Sequence, residues 1–168
     1  MKCGKIVNKA RILPSDRLSS MTRPVSIRIR KLHPLAETPR YAHGPEEDAG
    51  LDLVSVESAS IAPGEWTDIG TGLAVEIPPG YHGEVRPRSG LARRNGVTML
   101  NSPGTIDPGY RGEIRVIMIN HGPAAFKIEP GDRIAQLVIS SYAAVKWEVA
   151  GDLAESVRGG GGFGSTGV

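Results

Sequence analysis

Thirty-five of the 168 residues are glycine or proline, 22 and 13 respectively, roughly a fifth of the chain against an average of about 12%. Breakers at that density interrupt every stretch of about twenty residues, so a helical bundle is excluded and long helices are disfavoured. Hydrophobic residues still make up 39%, enough for a core and too many for wholesale disorder. A chain of this length supports one ordinary domain.

Between the breakers, apolar residues alternate. Ile27 and Ile29 do so in SIRIRK, Leu51 and Leu53 begin LDLVSVE, and Leu73, Val75 and Ile77 alternate in GLAVEI. Ile114, Val116 and Met118 follow in EIRVIMI, where Ile117 and Ile119 add a second buried face; then come Phe126 and Ile128, and the run Ile134 to Ile139. Period two, recurring with Pro-Gly pairs at 63–64, 79–80, 103–104, 108–109 and 130–131, predicts an all-β sandwich or barrel with those pairs as turns. Room for a helical turn exists at Gly90 to Asn95 and at Asp152 to Val157. The spacing divides the chain into a disordered basic extension (1–23), a β domain (24–150) and a flexible glycine-rich C-terminal arm (151–168).

The net charge of +2 is uneven. Lys2, Lys5, Lys9, Arg11 and Arg17 face only Asp16 in the first twenty residues, leaving the remainder with 15 basic and 17 acidic residues. The body is therefore slightly acidic, which argues against a nucleic-acid-binding domain. The first twenty residues lack the apolar stretch of a signal peptide, and they read equally as a basic transit-like segment or as an extension preceding a start at Met21. The single cysteine, Cys3, cannot form an intrachain disulfide, and a reduced, cytoplasmic setting is expected. The apolar run Val116 to Ile119 is far too short for a membrane span.

Three segments carry chemistry. The tail contains Gly159-x-Gly161-x-x-Gly164, but without a preceding strand and a following helix it is not a dinucleotide fingerprint, and Ser165 stands where a P-loop needs lysine. Its arginine, aromatic ring and hydroxyls can still wrap an anion. In Pro87-Arg88-Ser89-Gly90-Leu91-Ala92, a guanidinium, a hydroxyl and free backbone N–H groups converge before a short helical turn, which suits phosphate; a helix cap is the simpler role for Ser89. In Gly104-Thr105-Ile106-Asp107-Pro108-Gly109-Tyr110-Arg111-Gly112, a carboxylate and an aromatic flank a turn between strands. There Asp107 either caps the turn or, facing an anion pocket, orients and deprotonates water. His33, His43, His82 and His121 lack metal-ligand spacing, so a protein-ligated zinc is not expected.

Together with Ala49-Gly50-Leu51-Asp52-Leu53, Gly131-Asp132-Arg133-Ile134-Ala135-Gln136-Leu137 and the segment Arg158 to Gly167, these segments resemble, in order, the five motifs of the trimeric dUTP pyrophosphatases (dUTPases). The likeness covers about residues 25–168. It implies a β jelly roll, a homotrimer, and three active sites each assembled from three chains. It also implies hydrolysis of dUTP to dUMP and pyrophosphate, which keeps uracil out of DNA and supplies dUMP for thymidylate synthesis, without nucleic-acid or membrane partners.

Position by position, the resemblance makes Asp107 the residue holding the attacking water and the sugar 3′-hydroxyl, and Tyr110 the ring that leaves no room for a 2′-hydroxyl. Asn101, with the backbone of Gly104, Thr105 and Ile106, would read the uracil edge. Arg115 is a further substrate contact. Arg88, Ser89, Gly90 and Gln136 match phosphate contacts, and Arg88, Ser89 and Gln136 join Asp107 as the catalytic set. Arg158 matches a γ-phosphate ligand, Phe163 the ring over the uracil, and Gly164 and Ser165 additional phosphate contacts. Mg²⁺ would arrive chelated by the three phosphates, with no direct protein ligand and Asp52 in its outer shell.

Two other readings compete. The dCTP deaminases resemble the same pattern, but place a glutamate ten residues after the hairpin aspartate, where this chain has Ile117, and a second serine where it has Gly90. A catalytically inactive nucleotide-sensing jelly roll would lack at least one chemical residue, whereas Asp107, Ser89, Arg88 and Gln136 are all present.

Overall fold

The computed structural model describes residues 24–162, so the basic extension proposed for 1–23 lies outside the described residues. The chain forms β1 (Arg28–Lys31), β2 (Leu51–Val54), β3 (Ala59–Ile61), β4 (Trp66–Gly70), β5 (Leu73–Glu76), β6 (Tyr81–Arg86), α1 (Ser89–Asn95), β7 (Val97–Met99), β8 (Gly104–Ile106), β9 (Arg115–Asn120), β10 (Phe126–Ile128) and β11 (Arg133–Ser141). All the pairings are antiparallel. Two larger sheets, ordered β2-β11-β6-β8 and β4-β9-β7, are accompanied by the pairs β1-β5 and β10-β3. The fold is all-β, as expected from the alternation.

Apart from β1, whose four residues are all exposed, Ile29 included, the inward-facing residues of the strands meet in one core. Leu53, Ile69, Val85, Val97, Ile114, Val116, Met118, Ile134 and Leu137 are all buried within it. Three buried polar side chains are satisfied locally, which spares the desolvation penalty of an unpaired group. Ser55 donates to the Glu57 carbonyl at 2.6 Å, Thr71 to the Ile114 carbonyl at 2.6 Å, and the Asn120 amide to the Ile61 and Ala124 carbonyls at 2.8 Å.

Gly64, Gly80 and Gly131 take φ of 81°, 88° and 96°, the left-handed region that glycine alone enters cheaply. The 108–109 pair also turns, closed by the Tyr110 N–H donating to the Asp107 carbonyl at 3.0 Å. The pair at 103–104 differs, because Gly104 opens β8. A Cβ there would lie 3.2 Å from the Asn101 amide nitrogen, so this glycine serves a close approach rather than a turn.

The helical turn expected at Gly90 to Asn95 is α1. Asp152 to Val157 forms no helix and is exposed throughout. Ile117 and Ile119 are only half-buried, which corrects the expectation of a second buried face within the chain. With Trp66 and Leu100, 57% and 50% exposed, they share the outer face of the β4-β9-β7 sheet. Trp66 is directly opposite Ile119, and the Leu100 N–H bonds the Ile117 carbonyl.

Candidate active site

The β8–β9 connection presents its chemistry into a cleft of about 280 Å³, lined by Thr105, Ile106, Asp107 and Tyr110 with Arg115 and Ile117 behind. The backbone carbonyl of Asp107 closes the Pro108-Gly109 turn, and Asp107 itself is exposed and lines the cleft. Tyr110 is fixed from the other side: its hydroxyl donates to the Glu113 carbonyl at 2.9 Å. The ring lies over Gly112, where a Cβ would fall within 2.6 Å of the ring carbon bearing the hydroxyl. At about 280 Å³, the cleft is at the lower edge of small-molecule sites, which span roughly 300–1,000 Å³.

Behind Asp107, one cation is shared by three carboxylates. Arg115 Nε donates to Asp68 at 2.5 Å, while its terminal nitrogens reach Glu57 at 2.9 Å and Glu113 at 3.2 Å. The hydrogen bond to Asp68 is the largest influence raising the Arg115 pKa above its usual value, and the same bond holds the Asp68 carboxyl below the usual carboxylate range. Two of these carboxylates also receive backbone N–H groups from the β4–β5 turn: Gly70 donates to Glu57 and Gly72 to Glu113. Arg115 thus lines the cleft while its donors serve the frame around it.

A second, basic cluster forms where β2, β11 and the start of α1 meet. Asp52, Gln136 and Arg86 lie side by side across β2, β11 and β6. Gln136 packs on Gly50, where a Cβ would come within 3.2 Å of its amide. Arg133 donates to Asp52 at 3.0 Å, and Arg88 lies 3.5 Å from the other carboxylate oxygen while donating to the Arg133 carbonyl at 2.8 Å. That second oxygen, Oδ1, is buried without a hydrogen-bond partner. Burial lowers the Arg88 pKa, with Asp52 opposing and the Arg133 and Arg94 cations adding to the decrease.

Arg88 takes the N-cap position of α1 in extended conformation, and no side chain caps the helix. Ser89 is instead the first helical residue, and it is exposed. The cap role weighed for Ser89 is therefore absent, and its hydroxyl stands beside Arg88 at the helix start. Sequence reasoning gave no role to Arg133, although it stands within a quoted motif, or to Glu113.

One chain does not bring the two clusters together. β6 and β8 pair antiparallel with Gly83 opposite Ile106 and Val85 opposite Gly104. Asp107 therefore follows β8 toward the His82 end of β6, whereas Arg88 follows the opposite end. Six residues at 3.2–3.4 Å each separate the two positions by roughly 20 Å. Arg158 donates to the Gly161 carbonyl at 2.8 Å within its own exposed turn. Phe163, Gly164 and Ser165 lie outside the described residues.

The chain matches the family described as dUTPase over residues 36–167. It is 55% identical over 143 residues to the deoxyuridine 5′-triphosphate nucleotidohydrolase of Solibacter usitatus, covering 85% of this chain and 97% of that relative. It is 53% identical over 144 residues to the protein of the same name from Clostridium acetobutylicum, covering 86% and 98%. Among solved structures, it resembles a Staphylococcus bacteriophage 80alpha dUTPase with dUpNHpp at a TM-score of 0.78 and 29% identity, covering 85% of this chain and 99% of that one.

Proposed function

The chain belongs to the dUTPase family, and on that premise we propose that it hydrolyses dUTP to dUMP and pyrophosphate, with Asp107 activating the attacking water. The observation that carries the reading is the setting of Asp107. Asp107 lines the cleft and, among the described residues, forms no ion pair, while Arg115, which lines the same cleft, is held by Asp68, Glu57 and Glu113. Asp107 is thus available to accept a proton as water attacks the α-phosphorus. The bond to the bridging oxygen breaks, and pyrophosphate leaves. Product dUMP would supply thymidylate synthesis, and removal of dUTP would keep uracil out of DNA.

Tyr110, pinned over Gly112, presents its ring to the deoxyribose. Asn101, against Gly104, and the adjoining backbone read the base. Arg88, Ser89, Gly90 and Gln136 receive the phosphates, with Arg158 and the residues after it completing the arm's share. Positioning and charge stabilisation account for most of phosphoryl-transfer catalysis, and these residues supply both.

The charge of the triphosphate calls for Mg²⁺, and the donor set fits an ion carried by the substrate. The unpartnered Asp52 Oδ1, buried beside Arg88, can accept from a water of such an ion. Bound Mg²⁺ would neutralise the polyphosphate and fix its conformation. A solved relative, the dUTPase of phage phi11 of S. aureus, is described with a structural Mg(II) ion.

The separation of Asp107 from Arg88 along β6 supports sites completed between copies, in a homotrimer. The outer face of β4-β9-β7 is apolar enough for burial by another copy. The segment after β11 supports an arm reaching a neighbour, since Trp147 is 87% exposed and Val149 and Leu153 are equally unburied. Neither feature is explained by the isolated chain.

Deamination is disfavoured because Ile117, where a deaminase needs a carboxylate, lines the cleft as an apolar wall. Purified protein incubated with dUTP, dCTP, UTP and dTTP tests the reading. Pyrophosphate released from dUTP in preference to the others is expected; ammonia from dCTP, or no product, would overturn it.

A further inference from the structure

Arg94 occupies the last turn of α1 together with Arg93, a position where a cation ordinarily complements the helix dipole. Its guanidinium does not stay there. Helical side chains lean toward the N-terminus and meet residues four positions earlier, and position 90 is a glycine. The Arg94 side chain therefore runs back over Gly90, with both terminal nitrogens within 3.3 Å of where a Cβ would stand. The C-terminal carbonyls are served without it, because the Gly96 N–H caps Ala92 and Leu91.

This puts a second guanidinium beside Arg88, at the end of the helix that repels cations. No acidic residue occupies the first turn. Arg88 and Arg133 share one carboxylate, Asp52, and among the described residues no ion pair is formed by Arg94. Three arginines with a single counter-charge leave an excess of two positive charges around the Arg88-Ser89-Gly90 turn. Such an arrangement is unfavourable when empty and favourable when an anion of matching charge enters.

We infer that Arg94 is a further polyphosphate-binding residue, reaching over Gly90 to contact the same phosphate chain as Arg88 and Ser89. The inference rests on the dUTP reading above for the identity of the nucleotide, but its chemistry is that of any linear polyphosphate. It also assigns Gly90 a second purpose, because a side chain at position 90 would have to push the Arg94 guanidinium aside by a few tenths of an ångström.

The test compares Arg94→Gln, Arg94→Lys and Arg93→Gln in the full chain. Arg93 shares the helix end and the surface charge but has no such contact with Gly90, so it controls for both. Two readouts are taken: the dissociation constant of inorganic tripolyphosphate by calorimetry, and steady-state dUTP hydrolysis. Loss of a charge-assisted contact should weaken tripolyphosphate binding and raise KM for dUTP by roughly 10-fold in Arg94→Gln, with kcat changed much less. Arg94→Lys should recover part of the loss, since it keeps the charge without the fork. Arg93→Gln should match the wild type.

Equal behaviour of Arg94→Gln and Arg93→Gln, whether both unchanged or both weakened, would overturn the inference while leaving dUTP hydrolysis standing. Tripolyphosphate binding that depends on Arg94 in a protein that does not hydrolyse dUTP would uphold the inference and reject the substrate. Failure of the wild type both to bind tripolyphosphate and to hydrolyse dUTP would reject both.

Discussion

Arg115 donates to Asp68 at 2.5 Å across the β9–β4 pairing, a diagonal contact, since Arg115 is opposite Gly70 and Asp68 is opposite Ile117, two residues along. The pair ties the outgoing strand of the Asp107 hairpin to the neighbouring strand, and Glu57 and Glu113 extend the tie to the backbone of the β4–β5 turn. Arg115 therefore braces the outgoing strand of the hairpin while also lining the cleft.

This brace has a pH signature. The folded-state pKa of Asp68 is lowered by Arg115, so its contribution is present above the unfolded value of 3.8 and is lost as the pH falls through the lower folded value. The pair is half-exposed, which limits its worth to below about 1 kcal/mol after solvent screening. Asp68→Asn should lower the melting temperature by a few degrees at pH 7, and the gap to wild type should close in acid below the usual carboxylate range. A gap that stays constant with pH would assign the loss to something other than the Asp68 charge.

Asp107→Asn preserves size but cannot accept the proton from water. Turnover should fall by roughly 10²–10⁴-fold, while binding of a non-hydrolysable dUTP analogue changes much less. Pyrophosphate release and calorimetry on the same preparation separate the two effects. Near-normal turnover would remove Asp107 from the role of base.

Selection against UTP is expected to depend on the Tyr110 ring and on its anchor. Tyr110→Ala should narrow the ratio of kcat/KM for dUTP over UTP, whereas Tyr110→Phe, which keeps the ring and loses the bond to the Glu113 carbonyl, should discriminate nearly as well. Gly112→Ala is the more demanding case, because a Cβ within 2.6 Å of the ring must displace it. This variant should approach Tyr110→Ala in its ratio although no catalytic side chain is removed. An unchanged ratio in both Gly112→Ala and Tyr110→Ala would place sugar selection elsewhere.

The strands and α1 were legible because alternation and breakers are local properties. Val116 and Met118 must face one way if Ile117 and Ile119 face the other. What locality cannot convey is which face another layer covers, and so Ile117 and Ile119 were expected buried. At the candidate site, the motifs named Asp107, Tyr110, Arg88 and Gln136, but how these residues group in space depends on strand register. Nothing short of the Gly83–Ile106 pairing reveals that Asp107 and Arg88 leave opposite ends of β6. Arg94 was missed for a related reason: its function depends on where a side chain leans, and Gly90 had already been given a role of its own.

That register leads to the sharpest test of shared sites. If each site takes Asp107 from one copy, Arg88 from another and the arm from a third, the active species should have about three times the 17.8 kDa mass of the chain, and dilution to monomers should abolish activity. Replacing Ile119 with aspartate puts an unpaired charge on the outer β4-β9-β7 face and should lower the mass and the activity together, since desolvating a charge there is costly. Deleting residues 158–168 should leave mass and melting temperature nearly unchanged, because the described part of that segment contributes no buried side chain to the core, yet it should sharply reduce dUTP hydrolysis. An Asp107→Asn chain and a truncated chain are each defective on a different copy's share of a site. Co-refolded into mixed trimers, they should regain a fraction of wild-type activity, as some sites then draw Asp107 and the arm from intact donors. Mixed trimers verified by mass that show no more activity than either parent would mean that each chain builds its own site, and the roughly 20 Å separation along β6 would then have to be closed by movement within a chain.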